Sequence, residues 1–383
     1  MRTVERFKYL PILAYRWNPD WFPIWCNLKN LKKKGVRVRF HNFLNLNMNK
    51  LSDNIAIDNR IKGNFITALG KSNIDKQNIL LLFINKLKKK SKSLIYFDNK
   101  SSTGIQTEIL PYIDKYLKGK LYKDRSLYEK RTFLGNRIFT DFYAKNYNIK
   151  EDNIYNLSKE NDPEEKSKNQ LAYQLYMDNK HKLDISWNIG LSDYRTSYKI
   201  PRHKNVFSKK VKLTYIKPNN DRKFDLAANF NYKFASNIIG FQRKEFLRIL
   251  IEKMKDYKNI SIGKIPKYIY RKTMAQSLAV LSPFGEGAIC YRDFETFIYG
   301  AALIKPNMDH LDTWPNLYKK QETYIPLSWK IEDWENEITE ILADKDFLKE
   351  IAEKGQNAYK SIWTKEGQEK FCDRFIELIT FDK

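Results

Sequence analysis

Apolar residues recur along this chain in short blocks, and the spacing within each block changes between a strand-like and a helix-like period. The apolar run at 10–16 predicts a strand, 21–34 a helix stopped by Gly35, and 36–41 a second strand of alternating character. That is a β-α-β opening. A helix is predicted over 75–90, leading into a strand at 93–97 that ends in the loop Asp98-Asn-Lys-Ser-Ser-Thr-Gly104. The run at 110–118 reads as a strand or a helix edge, and 151–180 as polar and helix-prone.

A second alternation follows a basic, irregular stretch at 198–220. Strands are expected at 224–230, 259–262 and 278–281, with helices at 242–255 and 265–277 between them. Helices at 331–342, 345–363 and 366–379 complete the chain. Repeated alternation of this kind predicts parallel sheets with helices on both faces.

The most informative stretch is Ser-Pro-Phe-Gly-Glu-Gly at 282–287, followed by a helix that Gly300 ends and by a buried strand from Ala301. A glycine loop running into a helix presents unpaired N–H groups to an anion such as a pyrophosphate, and is equally an ordinary strand-to-helix turn. Ser282, Gly285, Glu286 and Gly287 are the candidates there. Arg292 and Glu295, three residues apart, share one face of the helix. Arg292 suits phosphate oxygens, and the two acceptor oxygens of Glu295 suit the paired hydroxyls of a ribose; the alternative is a surface ion pair.

At 383 residues with 42% hydrophobic content, the chain is long enough for two cores. The domains are expected at 1–214 and 215–362, with 363–383 packing back on the first. The net charge of +25 favours an anionic partner, either a phosphorylated substrate or an anionic membrane surface. Much of the excess lies early, at Lys29, Lys32 to Lys34, Arg37 and Arg39, then Lys86 and Lys88 to Lys90, and again from Lys199 to Lys212. Cys26, Cys290 and Cys372 stand far apart, in no disulfide or zinc pattern, which fits a reducing cytoplasm. No apolar run approaches the roughly 20 residues of a spanning helix.

The run from Gly263 to Trp329 resembles the donor domain of GT-B glycosyltransferases, in particular enzymes of bacterial surface polysaccharides. It carries Ser-Pro-Phe-Gly, the helix Tyr-Arg-Asp-Phe-Glu-Thr-Phe-Ile-Tyr-Gly, and Ala-Leu-Ile-Lys-Pro-Asn-Met-Asp-His-Leu-Asp-Thr-Trp-Pro. The resemblance extends more weakly to Tyr-Phe-Asp at 96–98 and to the run from Leu110 to Tyr128. It implies two Rossmann-like domains facing across a cleft, with C-terminal helices crossing back to the first. It further implies a nucleotide-sugar donor held mainly by the second domain, a glycan or lipid-linked saccharide acceptor, and no bound metal or other cofactor. Glu295, just before an apolar-x-Gly element, takes the place of the ribose-gripping Glu of those families. They carry a second acid eight positions earlier, where this chain has Gly287 with Glu286 beside it.

The chemistry needs groups outside that motif. Asp98, after an apolar strand, is a candidate base or an Asx-turn residue, and His41 is a second candidate or an ordinary strand-end histidine. Asp309 and His310 are placed near the donor sugar or in a loop-structuring role. Arg243 and Lys244, expected to open a helix, would neutralise the leaving diphosphate or stand solvated. Two readings from other classes remain: a nucleic-acid binder, suggested by charge and aromatics though no such module is present, and a non-catalytic GT-B-like scaffold at the membrane.

Overall fold

The computed structural model describes residues 9–14, 19–42, 54–58, 73–129, 137–149, 163–193, 213–234, 236–255, 257 and 259–381. The first half contains β1 (Tyr9–Ala14), α1 (Phe22–Lys33), β2 (Arg37–Asn42), β3 (Asn54–Asp58), α2 (Asn73–Lys90), β4 (Ser93–Asp98), β5 (Lys115–Lys118), β6 (Lys120–Tyr122), α3 (Ile138–Tyr147), α4 (Pro163–Asn179) and β7 (Leu183–Ile185). Its sheet is six-stranded in the order β2-β1-β3-β4-β5-β7, with every pairing parallel. Strands buried on both faces cannot alternate with polar residues. Accordingly all six residues of β4 are buried, the terminal aspartate included.

The second half contains β8 (Phe224–Ala228), α5 (Asn237–Glu252), β9 (Ile260–Ile262), α6 (Lys267–Ala275), β10 (Ser277–Leu281), α7 (Tyr291–Tyr299), β11 (Ala302–Pro306), β12 (Leu311–Thr313) and β13 (Ile325–Leu327). Its sheet is five-stranded and parallel in the order β13-β11-β10-β8-β9. Chain direction across this sheet reverses between β8 and β10, and the crevice outside the carboxyl ends at such a switch point is where open α/β sheets take ligands.

The two halves meet carboxyl end to carboxyl end. β6 pairs antiparallel with β12, so one short ribbon carries a strand from each half. Three helices close the chain: α8 (Trp334–Ala343), α9 (Lys345–Ile362) and α10 (Lys365–Ile379). In α9, Gln356 reaches the carbonyls of Phe297 and Ile298 on α7. The last helix instead crosses to the first half: Phe371 and Phe375 pack on Trp187, Gln368 bonds Asn27, and Lys115 caps the carbonyls of Leu378 and Thr380. The larger hydrophobic cluster is therefore continuous from Leu10 to Ile379 and spans both halves. A second cluster, with Leu13, Ile55, Leu94 and Tyr96 against Leu80, Ile84 and Leu87, lies between the first sheet and α2.

The alternating pattern located most elements to within a few residues. It missed the short strands β3, β6, β7, β12 and β13 and the helix α3. It also started α5 late: the helix begins at Asn237, where the Ser236 hydroxyl accepts from the Ile239 N–H. The expected basic stretch at 198–220 lies outside the described residues up to 212.

Candidate functional site

The loop after β10 is built around a buried aspartate. Asp293, in the first turn of α7, accepts from the Ser282 hydroxyl at 2.5 Å, the Tyr318 hydroxyl at 2.8 Å and the Cys290 N–H at 3.0 Å. Lys305 of β11 lies 3.2 Å from the same carboxylate, and neither charged side chain has exposed surface. Two expectations change. The hydroxyl of Ser282 is committed to Asp293 and has no surface for a phosphate. The N-terminus of α7 is capped by Cys290 and Asp293 themselves, so its positive end already faces a carboxylate.

The two glycines serve close approach, but the neighbours are protein groups. A Cβ on Gly285 would lie 2.7 Å from a terminal nitrogen of Arg243, and one on Gly287 would lie 2.1 Å from the carbonyl oxygen of Ser101 in the first half. Arg243 sits in the second turn of α5 rather than at its start, and ties together the loops after β8 and β10. Its Nε donates to the Phe284 carbonyl at 2.6 Å and its Nη1 to the Asn231 carbonyl at 2.7 Å, with the rings of Phe230 and Phe234 against the guanidinium. Burial lowers its pKa, with Cys290 and Asp293 opposing. Its neighbour Lys244 is exposed and is not brought into the loops. Glu286 is exposed as well, and its contact across the halves is through the backbone, the carbonyl accepting from Arg137 at 2.5 Å.

Arg292 and Glu295 do share a face, as their spacing requires. Glu295 accepts from Tyr270 of α6 at 3.2 Å, and no direct ion pair joins it to Arg292. Burial raises the pKa of Glu295, while Arg292, Tyr270 and Arg271 work against that rise. Arg292 reaches the Asn229 carbonyl at 3.3 Å and stacks its guanidinium over Phe230, while its Nε has no partner among the described residues. The amide oxygen of Asn229 is likewise buried without a partner. A carboxylate with acceptor capacity to spare, an unfilled guanidinium nitrogen and a bare amide oxygen thus converge beside the switch point of the second sheet.

In the first half the structure reassigns Asp98. It has no exposed surface; its carboxylate takes Lys118 at 2.7 Å, the Tyr116 hydroxyl at 2.5 Å and the Lys100 N–H at 3.0 Å. Burial opposes its charge, but these partners hold its pKa below the usual carboxylate value. Such a group anchors strand ends and is out of reach of an acceptor hydroxyl. His41 lies on the edge strand β2 with its Nε2 against the Tyr9 hydroxyl at 2.9 Å. Three strand spacings, about 14 Å, separate β2 from β4, whose loop meets Gly287. Asp309 is exposed and paired with Lys320. His310 is brought to the interface: it packs on Phe284 and Trp329 and lines a gap with Ser101, Arg137 and Gly287. Burial and then Lys305 push its pKa down to about 4, so it is neutral at physiological pH.

Lys118 and Lys120 were missed from sequence because a basic run reads as solvated surface. The usable signal was their two-residue step from Tyr116 and Tyr122, which places Lys118 on the same strand face as the large buried ring of Tyr116 and Lys120 on that of Tyr122. Among the described residues no group of three or more His, Cys, Asp or Glu could hold a metal ion, and no helix is long and apolar enough to cross a membrane. The Asp-Lys-Asp sequence at 344–346 is structural: Asp344 caps α9 and Asp346 accepts from Asn220.

No protein-family description matches the sequence, and no curated protein matches it either. Among solved structures, HepE of Anabaena with UDP-glucose is 7% identical, covering 96% of this chain and 99% of its own at a TM-score of 0.42. A glycosyltransferase of Rickettsia africae is 11% identical, with 98% of both chains covered and a TM-score of 0.40. Sucrose-phosphate synthase of Thermosynechococcus elongatus is 7% identical, covering 96% and 98% at a TM-score of 0.45.

Proposed function

We propose that this protein transfers a glycosyl group from a nucleotide-sugar donor to a glycan or lipid-linked saccharide, in cell-surface polysaccharide synthesis, without a bound metal. The carrying observation is Glu295: a partly buried carboxylate beside the switch point of the second sheet, hydrogen-bonded among the described residues by Tyr270 and flanked by Arg292. An ionised carboxylate has two acceptor oxygens, enough for both hydroxyls of a ribose. Arg243 and Arg292 supply fixed positive charge for the diphosphate. Neutral His310 stands where it can hydrogen-bond a sugar hydroxyl.

The acceptor side of this reading draws on the surface of the first half. Lys29, Lys32 and Lys33 on α1 and Arg37 and Arg39 on the edge strand β2 are exposed, as are Lys86, Lys89 and Lys90 on α2 below Leu82, which is 68% exposed. On α2 the exposed lysines follow the exposed leucine within about two turns, a combination that suits the inner face of an anionic membrane.

Thermal unfolding in the presence of UDP-, GDP-, dTDP- and CMP-sugars tests the donor assignment. A true donor at 100 times its Kd stabilises by about 2.7 kcal/mol. Glu295→Ala should abolish that shift and the transfer activity together; an unchanged shift and activity would remove the ribose role. If no nucleotide sugar shifts the protein while an oligonucleotide binds with steep salt dependence, the glycosyl-transfer reading fails in favour of nucleic-acid binding.

A further inference from the structure

Between the carboxyl ends of the two sheets the chain buries two neighbouring lysines and matches only one. Lys118 has the carboxylate of Asp98 at 2.7 Å. Lys120 is 7% exposed, and among the described residues its amine makes one hydrogen bond, to the Lys100 carbonyl at 3.1 Å, with no carboxylate in ion-pair reach. A buried cation left in that state is costly unless an anion arrives to match it. Around it lie Lys118, Asp98 and, across the interface, Cys290 of the donor-side loop; Asp20, which accepts from Ser192 at 3.2 Å, is the remaining charged neighbour, with Lys100 at the rim. Burial first and Lys118 second lower the Lys120 pKa to about 7, while Asp98 and Asp20 oppose this.

The pocket beside Lys120 is lined by Asp20, Asn99, Lys100, Gly119, Trp187 and Asn188. In it both polar side-chain atoms of Asn99, Oδ1 and Nδ2, are buried without a partner among the described residues. The unmet needs are thus an anion for Lys120, an acceptor for the Asn99 Nδ2 and a hydroxyl donor for its Oδ1. One ligand class supplies all three: a phosphate ester that carries a sugar hydroxyl. We propose that this pocket receives the phosphate of a glycosyl phosphate group, with Lys120 as its counter-charge and the Asn99 amide bridging phosphate and hydroxyl. The inference rests on the nucleotide-sugar reading only for the source of the phosphate, which is either the donor diphosphate or a lipid-linked saccharide.

Because the ligand draws Lys120 back to its charged form, binding at pH 8 should take up about one proton. Titration calorimetry of the full chain at pH 8, in buffers of different ionisation enthalpy, measures this with three probes: glucose 1-phosphate, UDP and farnesyl diphosphate. Lys120→Met should weaken the responding probe at least about tenfold and abolish the proton uptake. Lys120→Arg, whose side chain is always protonated, should retain most affinity while also losing the uptake. Asn99→Ala should weaken binding several-fold and leave the uptake intact. Uptake with UDP marks the donor diphosphate as the source, and uptake with farnesyl diphosphate marks the lipid-linked one. Absence of binding by all three probes, binding without proton uptake, or unchanged behaviour of Lys120→Met overturns the proposal. Glu295→Ala separates it from the preceding one: loss of UDP binding with glucose 1-phosphate unaffected leaves the Lys120 pocket standing. Glucose 1-phosphate binding with proton uptake, when no nucleotide binds at all, likewise retains the pocket and removes the donor assignment.

Discussion

Each half of the molecule buries an aspartate–lysine pair just behind the loops that face the other half, and a tyrosine hydroxyl completes each. In the second half Asp293 and Lys305 are joined by Ser282, Tyr318 and the cap of α7, so the lysine beside that carboxylate is matched inside the same loop cluster. In the first half Asp98 and Lys118 are joined by Tyr116, but Lys120 stands beside them unmatched. The second half holds the loop after β10 through its own side chains. In the first half Lys120 has only the Lys100 carbonyl as a hydrogen-bond partner among the described residues. Buried pairs of the same composition therefore do different work, according to whether the local charge count closes.

The largest test of that contrast is to remove each carboxylate. Asp293→Ala and Asp98→Ala should each cost about 3–5 kcal/mol in urea unfolding, since each leaves a buried lysine uncompensated. Adding Lys118→Met to Asp98→Ala should recover much of the loss; no recovery would show that Asp98 matters for something other than pairing. Next in size is the contact between the halves. Gly287→Ala puts a methyl against the Ser101 backbone and should cost about 1–3 kcal/mol, whereas Gly285→Ala meets a side chain, the Arg243 guanidinium, and should cost less.

The unmatched lysine gives a pH signature. Unfolded, Lys120 keeps its proton to about pH 10.4; folded, it releases it near 7, so the unfolded state binds more protons in between. Stability should therefore rise with pH across that window by up to about 1.4 kcal/mol per unit, and fall away as pH drops towards 7. Lys120→Met should flatten this slope, measured as urea midpoints between pH 7 and 10. The smallest effect is expected at Glu295. Burial raises its folded pKa, so its contribution is greatest in acid and is lost as pH rises through that value. Glu295→Gln should thus be slightly more stable than the parent at pH 7, by under about 1 kcal/mol, while losing nucleotide binding. A less stable variant would mean that the carboxylate supports the fold.

Much of the second half could be read in advance because its signals are local. The helix over Tyr291–Tyr299 ends at Gly300 in a left-handed conformation, as the apolar spacing and the glycine predict, and the shared face of Arg292 and Glu295 follows from a three-residue step. Asp98 was found as a polar residue ending an apolar strand, but its role was not, because its partners come from another strand. Lys118 is 20 residues away and Lys305 is 12 residues from Asp293. Propensity and composition both assign lysines to the surface, so nothing local marks these as buried.

The sequence by itself determined where most of the longer strands and helices form, that two parallel α/β units result, and which helix face carries an arginine and a glutamate, because those properties depend on neighbours within a few residues. The tertiary structure alone decided that Ser282 serves Asp293, that Gly287 lies against the opposite half, that Asp98 is sealed, and that Lys120 is left unmatched. Charge compensation in a buried site is settled by which distant side chains the fold brings within about 4 Å, and no single segment contains that information.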